Sequence, residues 1–176
     1  MRRLFTQFRR SEDGNATVEF VIMFPVIIMV FMSLFEVAML STRAAMLERA
    51  LDITIRGVRL TTGLNPSHTA LRDQICEYGA FLPDCKNTLL LEMIPVGVPA
   101  FTMPNYRAPC IDRDSSDAPP VHSFTHGVGN QLMVVRACYV VEPLFPLSGV
   151  GLGLTRDDSG GFQISAAPRY VAAPRS

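Results

Sequence analysis

The longest apolar run of the chain lies close to its amino end. Residues 20–35 carry no charged side chain, and the run extends through residue 40 if the single Glu36 is tolerated. A helix of residues 20–40 would be about 31 Å long, close to the roughly 30 Å hydrocarbon core of a bilayer. The pattern predicts a membrane-spanning helix. The alternatives are a buried helix of a soluble protein and a cleavable secretory signal, whose apolar part is usually about 7 to 15 residues long.

Beyond Glu36 the pattern becomes amphipathic. Apolar residues recur at spacings of three and four residues and form one stripe, while charged residues occupy the other faces. We therefore predict one helix, residues 15–62, that spans the membrane and continues as a stem, with its stripe packed against an outer domain. The stripe consists of Leu40, Ala44, Leu47, Leu51, Ile55 and Val58.

The remaining residues, 63–176, contain short periodic segments separated by turns. They predict a helix over residues 66–78 with Asn65 as its cap, followed by a turn over residues 81–86. Strands are predicted at residues 88–96, 130–142 and 162–166, the last two pairing as antiparallel neighbours. The predicted fold class is α+β: a long N-terminal membrane-spanning helix that extends into a small domain with a short helix and a small antiparallel sheet.

Two long stretches of the chain have no predicted regular structure. Residues 1–14 form a polar, basic leader. Residues 97–129 contain five prolines and many polar side chains, which indicates a long loop. Loops of this length in a compact domain are usually functional, so this one is the candidate partner-facing surface.

Charge predicts the orientation of the chain. The leader has four arginines and two acidic residues, and basic residues beside a spanning helix favour the cytoplasmic side. We therefore expect a single-pass inner-membrane protein with a cytoplasmic amino end and a periplasmic domain. The whole chain has 16 basic and 16 acidic residues, so it has no basic excess for nucleic acid and we expect no such partner.

All four cysteines follow the predicted membrane segment. They are Cys76, Cys85, Cys110 and Cys138. In the oxidising compartment that the predicted orientation implies, disulfides are the default, and four cysteines allow three connectivities. We favour Cys76 with Cys85, which are close in sequence, and Cys110 with Cys138.

Two carboxylates mark the ends of the apolar run. Glu19 lies five residues beyond Gly14, and ionisable groups at a membrane boundary are functional candidates. Cleavage after Gly14 would give Asn15 a free ammonium, which could neutralise Glu19 of a neighbouring subunit. The alternative is a carboxylate that only sits among the headgroups. Glu36 is expected to snorkel to the outer interface, with pairing to a partner subunit as the second interpretation.

A basic leader, a glycine followed by four residues and Glu-Phe, and an apolar helix resemble the processing site of class IV prepilins and pseudopilins. The segment EDGNATVEFVIMFPVIIMVFMSLFEVAM resembles TadE-like minor pseudopilins of the tight-adherence (Flp, class IVb) pilus system. Members carry a Glu-Phe opening, here Glu19 and Phe20, an early proline, here Pro25, and a glutamate past the run, here Glu36. The resemblance covers about residues 9–60.

The resemblance implies a function in assembling or priming a tight-adherence pilus. It implies cleavage between Gly14 and Asn15 by a prepilin peptidase, and assembly roles for Glu19, Phe20 and Glu36. The implied partners are the membrane, other pilin or pseudopilin subunits and an inner-membrane assembly platform. It implies no enzymatic activity and no cofactor.

Other chemistry has weaker support. His122 and His126 with Cys110 and Cys138 resemble a zinc set only loosely, and a disulfide would remove both thiolates. The acidic loop residues lack the glycine and closing glutamate of a calcium loop, and we expect no metal. They are Asp112, Asp114 and Asp117. Two alternative functions stay open: a bitopic envelope protein whose periplasmic domain binds a partner or ligand, and a secreted metal-binding protein released by signal cleavage.

Overall fold

A computed structural model describes residues 15–60, 66–97, 110, 123–146 and 160–172. The fold class is α+β, as predicted. In chain order, the helices are α1 (Asn15–Leu60), α2 (His68–Tyr78) and α3 (Cys85–Thr88), and the strands are β1 (Leu89–Pro95), β2 (Leu132–Val141), β3 (Phe162–Ala166) and β4 (Arg169–Val171).

Helix α1 is continuous through Pro25 and about 69 Å long at 1.5 Å per residue. Along residues 16–35 every side chain is exposed except Met32 and Ser33, which are half-buried. In the part of the chain that the structure describes, α1 is the one helix long and apolar enough to cross a membrane. An apolar surface on all sides is typical of a helix surrounded by lipid or by other apolar helices.

The second half of α1 belongs to the core of the domain. Leu47, Leu51 and Ile55 are buried, and Leu40 and Val58 pack against the same cluster. This confirms the predicted stripe. Residues about one turn apart lie on one face of a helix, so the stem lies lengthwise against the sheet.

Helix α2 begins two residues later than predicted. Its cap is Ser67, whose Oγ accepts a hydrogen bond from the Ala70 N–H at 3.2 Å, rather than Asn65. A serine side chain in this position satisfies an N–H that the first turn of a helix leaves without a partner. Leu71 and Ile75 point inward and the helix ends at Gly79, as predicted.

The predicted turn over residues 81–86 is replaced in part by the short helix α3. The carbonyl of Asp84 accepts hydrogen bonds from the Thr88 N–H at 3.2 Å and from the Thr88 hydroxyl at 2.8 Å. The Asn87 side chain donates to the Asp84 carboxylate at 2.7 Å. These local bonds close one helical turn, which a pattern of apolar spacing does not show.

The sheet is built around β2. Strand β1 pairs with it antiparallel, from Leu89 opposite Tyr139 to Pro95 opposite Met133. On the other side, β3 pairs with the second half of β2 and β4 with the first half. The predicted antiparallel pairing of the last two strands is confirmed for β2 and β3, whereas β4 was not predicted.

Strand β2 is buried on both faces. Its inner-facing residues join β1 and the stem in the main core, which includes Leu91, Val135 and Tyr139. The outer face carries a second cluster of Leu90, Cys110, Cys138 and Val140. Because both faces are covered, β2 has apolar residues at successive positions rather than at alternating ones, and Arg136 is its one charged residue.

The structure joins Cys76 to Cys85 and Cys110 to Cys138, with Cα atoms 5.6 and 5.5 Å apart. The first bridge ties the end of α2 to α3, as predicted. The second fixes Cys110 to the outer face of β2.

An ion pair joins the two longest strands. Glu92 and Arg136 are directly opposite in the β1–β2 register, and Arg136 Nη1 donates to Glu92 Oε2 at 2.7 Å. The arginine side chain is 1% exposed and the glutamate side chain 14% exposed. Removing one member of such a pair is strongly destabilising because the other charge stays buried.

We predict that Glu92→Gln lowers the free energy of unfolding by about 3 kcal/mol, because Arg136 loses a carboxylate in a dry site. The exposed stem residue Glu48 supplies the control, and Glu48→Gln should change stability by less than about 0.5 kcal/mol. Urea unfolding of the full chain in detergent micelles, followed by circular dichroism, measures both.

A double variant separates charge from packing. Glu92→Leu combined with Arg136→Met should recover most of the loss, since an apolar pair of similar volume carries no buried charge. Equal stabilities of Glu92→Gln and Glu48→Gln would contradict this account of the pair.

Candidate functional site

The candidate assembly residues at the amino end of α1 are solvent-exposed. Glu19 is exposed, and Phe20 is 62% exposed with its ring centroid 5.2 Å from that of Phe24. Gly14 and the Asn15 side chain lie outside the described part of the structure, so the predicted cleavage stays a prediction. Glu19 therefore lies on the exposed apolar part of α1, about one helical turn after the first residue of the helix.

Glu36 has a different environment. It is 1% exposed, although its neighbours Phe35 and Val37 are 47% and 45% exposed. Its Oε1 accepts a hydrogen bond from the Phe145 N–H at 3.4 Å. Among the described side chains of α1, counted from the amino end, Glu36 is the first buried one.

The prediction that Glu36 snorkels to the interface was therefore wrong. Phe145 belongs to residues 142–146, which follow β2 and meet the carboxylate through this contact. We call them the 142–146 segment. Because this contact joins residues 109 positions apart, no local pattern in the sequence indicates it.

The structure does not bring Glu19 and Glu36 together. They lie 17 positions apart on one continuous helix, or about 25 Å along its axis. Glu36 contacts the domain of its own chain, whereas Glu19 and Phe20 stand on the part of α1 whose side chains are almost all exposed. The two acidic residues thus occupy chemically different sites.

The metal candidates are not assembled in the described residues. Those residues contain no cluster of three or more histidine, cysteine, aspartate or glutamate side chains. Cys110 and Cys138 form a disulfide, and His126 packs edge-on against Phe124 with ring centroids 5.4 Å apart. His122, Asp112, Asp114 and Asp117 lie outside the described residues.

Residues 14–56 match the model of a protein family described as TadE-like protein. This segment is similar to TadE-like proteins. The TadE-like segment covers about a quarter of the chain and contains Glu19, Phe20, Pro25 and Glu36. The match is consistent with a protein of the tight-adherence system. No curated protein and no solved structure matches the chain.

The TadE-like segment ends within the stem, close to a basic groove. This groove, of about 740 Å³, lies between the end of α1 and β4, and Arg56, Arg59 and Arg169 line it. Asp52 neutralises part of the charge, since its carboxylate lies 2.8 Å from Arg56 Nη2. Tyr170 also lines the groove, and burial raises the pKa of its phenol, which therefore stays neutral at physiological pH.

We predict that Glu36→Ala loosens the 142–146 segment. The contact to Phe145 is long for a hydrogen bond. We therefore expect its removal to cost a free energy near the lower end of the range for charged acceptors, about 1.4 kcal/mol. Exchange of the Phe145 amide should then become about tenfold faster. Hydrogen–deuterium exchange of the full chain in micelles, followed by mass spectrometry, measures it.

Two variants test whether the Glu36 carboxylate is the group that holds the 142–146 segment. Glu36→Gln keeps an acceptor oxygen and should give a smaller increase in exchange than Glu36→Ala. Glu48→Ala removes an exposed carboxylate from the same helix and should leave the 142–146 segment unchanged. If Glu36→Ala also leaves exchange at Phe145 unchanged, the carboxylate does not hold this segment.

Proposed function

We propose that this protein is a minor pseudopilin that assists the assembly or priming of a tight-adherence pilus. In this proposal a prepilin peptidase cleaves after Gly14, and α1 then packs among the helices of other subunits. The TadE-like segment supports a general involvement in this pilus system, without specifying a role. The pseudopilin role is our inference from the geometry of α1.

The observation that carries the proposal is the surface of α1 along residues 16–35. It is apolar and exposed on all sides, and Glu19 is the only charged residue on it. A charged residue on a lipid-facing helix costs about 2.5 to 3.5 kcal/mol at the centre of the bilayer and less towards its edge. A cationic group supplied by a neighbouring subunit would remove that cost, so the pairing favours assembly.

The proposed pair also defines how two subunits are offset. After cleavage the ammonium lies on Asn15, four residues before Glu19, or about 6 Å along the helix axis. When the ammonium of one subunit meets Glu19 of the next, the two helices shift by about one turn. Such a pair specifies register as well as lowering the free energy of the assembly.

The proposed orientation has a cytoplasmic amino end and a periplasmic domain. The four arginines of residues 1–14 support it, because basic residues beside a spanning helix favour the cytoplasmic side. The two disulfides also support it, because the bacterial periplasm is oxidising.

We predict that mature protein isolated from cells begins at Asn15. Mass analysis of the amino terminus tests this. Gly14→Leu should prevent cleavage and leave the arginine-rich leader attached, because the bulky side chain would stand at the cleaved bond. Ser11→Leu adds the same side chain three residues earlier and should be processed normally.

The same measurement separates the proposed function from its alternatives. Mature protein that begins at Met1 would indicate a bitopic envelope protein whose helix is only an anchor. An amino terminus beyond Leu40 would indicate a secreted protein released by signal cleavage. Either result would exclude the proposed ammonium at Asn15.

We predict that Glu19→Ala keeps membrane insertion but abolishes incorporation into the assembly. Insertion depends on the apolar run, which the substitution makes slightly more apolar, whereas assembly loses its ion pair. Immunoblots of membrane fractions report insertion, and electron microscopy with immunogold labelling reports piliation and incorporation.

Glu48→Ala is the matched control, because it removes a carboxylate from the same helix outside the apolar run. It should leave insertion and piliation unchanged. Normal piliation and incorporation by Glu19→Ala would refute the pairing role.

A further inference from the structure

The 142–146 segment runs toward the membrane-spanning half of α1. Pro143 and Leu144 line a groove together with Arg43. Two residues later, Phe145 contacts Glu36, seven positions closer to the amino end of the helix. The chain therefore leaves β2 and descends about 10 Å along the stem, judged from the rise of the helix.

The uncharged run of α1 is shorter than a bilayer. Residues 20–35 span about 24 Å, whereas the hydrocarbon core is about 30 Å thick. A short span is accommodated by thinning of the bilayer or by drawing flanking residues into it. On the outer side, the flanking level is that of Glu36, where the 142–146 segment covers the helix.

Covering Glu36 removes its carboxylate from the lipid-facing surface at this level. A carboxylate that faced lipid here would lose its hydration, which is costly. The fold instead buries the carboxylate against the Phe145 N–H, and the exposed neighbours of Glu36 on the helix, Phe35 and Val37, are apolar. This arrangement makes the outer end of α1 compatible with deeper insertion.

Glu142 is exposed at the start of the segment, and the four residues after it, 143–146, are all apolar. Leu144 is 47% exposed and precedes Phe145, whose N–H contacts Glu36 between the exposed side chains of Phe35 and Val37. Pro143 and Pro146 have no N–H group, so the segment has two fewer backbone donors to satisfy away from water. Arg43 lies about 10 Å beyond Glu36 along the helix and lines a groove with Pro143 and Leu144.

We propose that the 142–146 segment is a lipid-contacting surface, with Leu144 inserted into the interface of the bilayer beside the exit point of α1. The occupant is the lipid itself rather than another subunit, because the segment is continuous with the helix surface that spans the membrane. The contact sets the height of the domain above the bilayer. It requires α1 to span a bilayer, but it does not depend on cleavage or pilus assembly.

Tryptophan fluorescence tests the proposal directly, because the chain has no tryptophan. Leu144→Trp introduces one reporter, and the full-length variant is reconstituted in phosphatidylcholine vesicles that contain lipids brominated near the headgroup. We expect blue-shifted emission that loses most of its intensity to bromolipid and resists quenching by aqueous iodide. Phe35→Trp, on the exposed helix, provides the lipid-facing reference.

Val128→Trp is the matched control at the far end of the domain. Val128 is 64% exposed and belongs to the loop before β2, near Ala172 and far from Glu36 along the stem. Its emission should be red-shifted, quenched by iodide and unaffected by bromolipid. If Leu144→Trp behaves like Val128→Trp, the proposal fails.

Two further results decide between lipid and a protein partner. Blue-shifted emission at position 144 that appears only at high protein-to-lipid ratio, without bromolipid quenching, would assign the surface to another copy of the chain and overturn the proposal. In the unmodified chain, a photoactivatable phosphatidylcholine should label the peptide containing residues 143–146, and its failure to do so would also overturn it. Neither result depends on the amino terminus of the mature protein.

Discussion

An acidic side chain on an apolar helix must be covered, paired or hydrated, and the two ends of the α1 run meet this constraint differently. Glu36 is covered by the domain of its own chain, through the contact with Phe145. Glu19 is exposed among the residues that the structure describes, and in the proposed assembly a neighbouring subunit compensates its charge. The fold thus covers one of the two acidic side chains and leaves the other exposed, and the proposed assembly role makes use of this difference.

The same helix serves two environments, and the change occurs at Glu36. Before this residue the surface of α1 is apolar on every side, whereas after it one stripe enters the core with the sheet. The stem is therefore not a linker between an anchor and a domain. Without Leu47, Leu51 and Ile55, the inner face of the sheet would lose the apolar layer that covers it.

Periodicity was sufficient to predict the elements whose signal is local. The stripe of α1, the strand with continuous apolar residues around Cys138, and the helix that ends at Gly79 were all found in this way. The pairing of Cys76 with Cys85 followed from their closeness in sequence. The family match covers the segment in which the resemblance was seen, residues 14–56.

Features that depend on distant contacts were missed. Strand β4 has only three residues, and Pro168 separates it from β3, so its pairing with the first half of β2 has no alternating pattern to indicate it. The burial of Glu36 depends on residues more than a hundred positions away. The groove lined by Arg56 and Arg169 likewise joins a helix end to an edge strand, and only the folded chain brings these side chains together.

The lengthwise contact between the stem and the sheet has a mechanical consequence. The stripe from Leu40 to Val58 lies along the strands rather than at one point. Tension applied to the amino end of α1 would load this whole contact in shear. Many side chains would then have to lose their contacts together before the stem could separate from the sheet. A contact loaded in this way resists pulling forces better than a contact whose side-chain pairs break one after another.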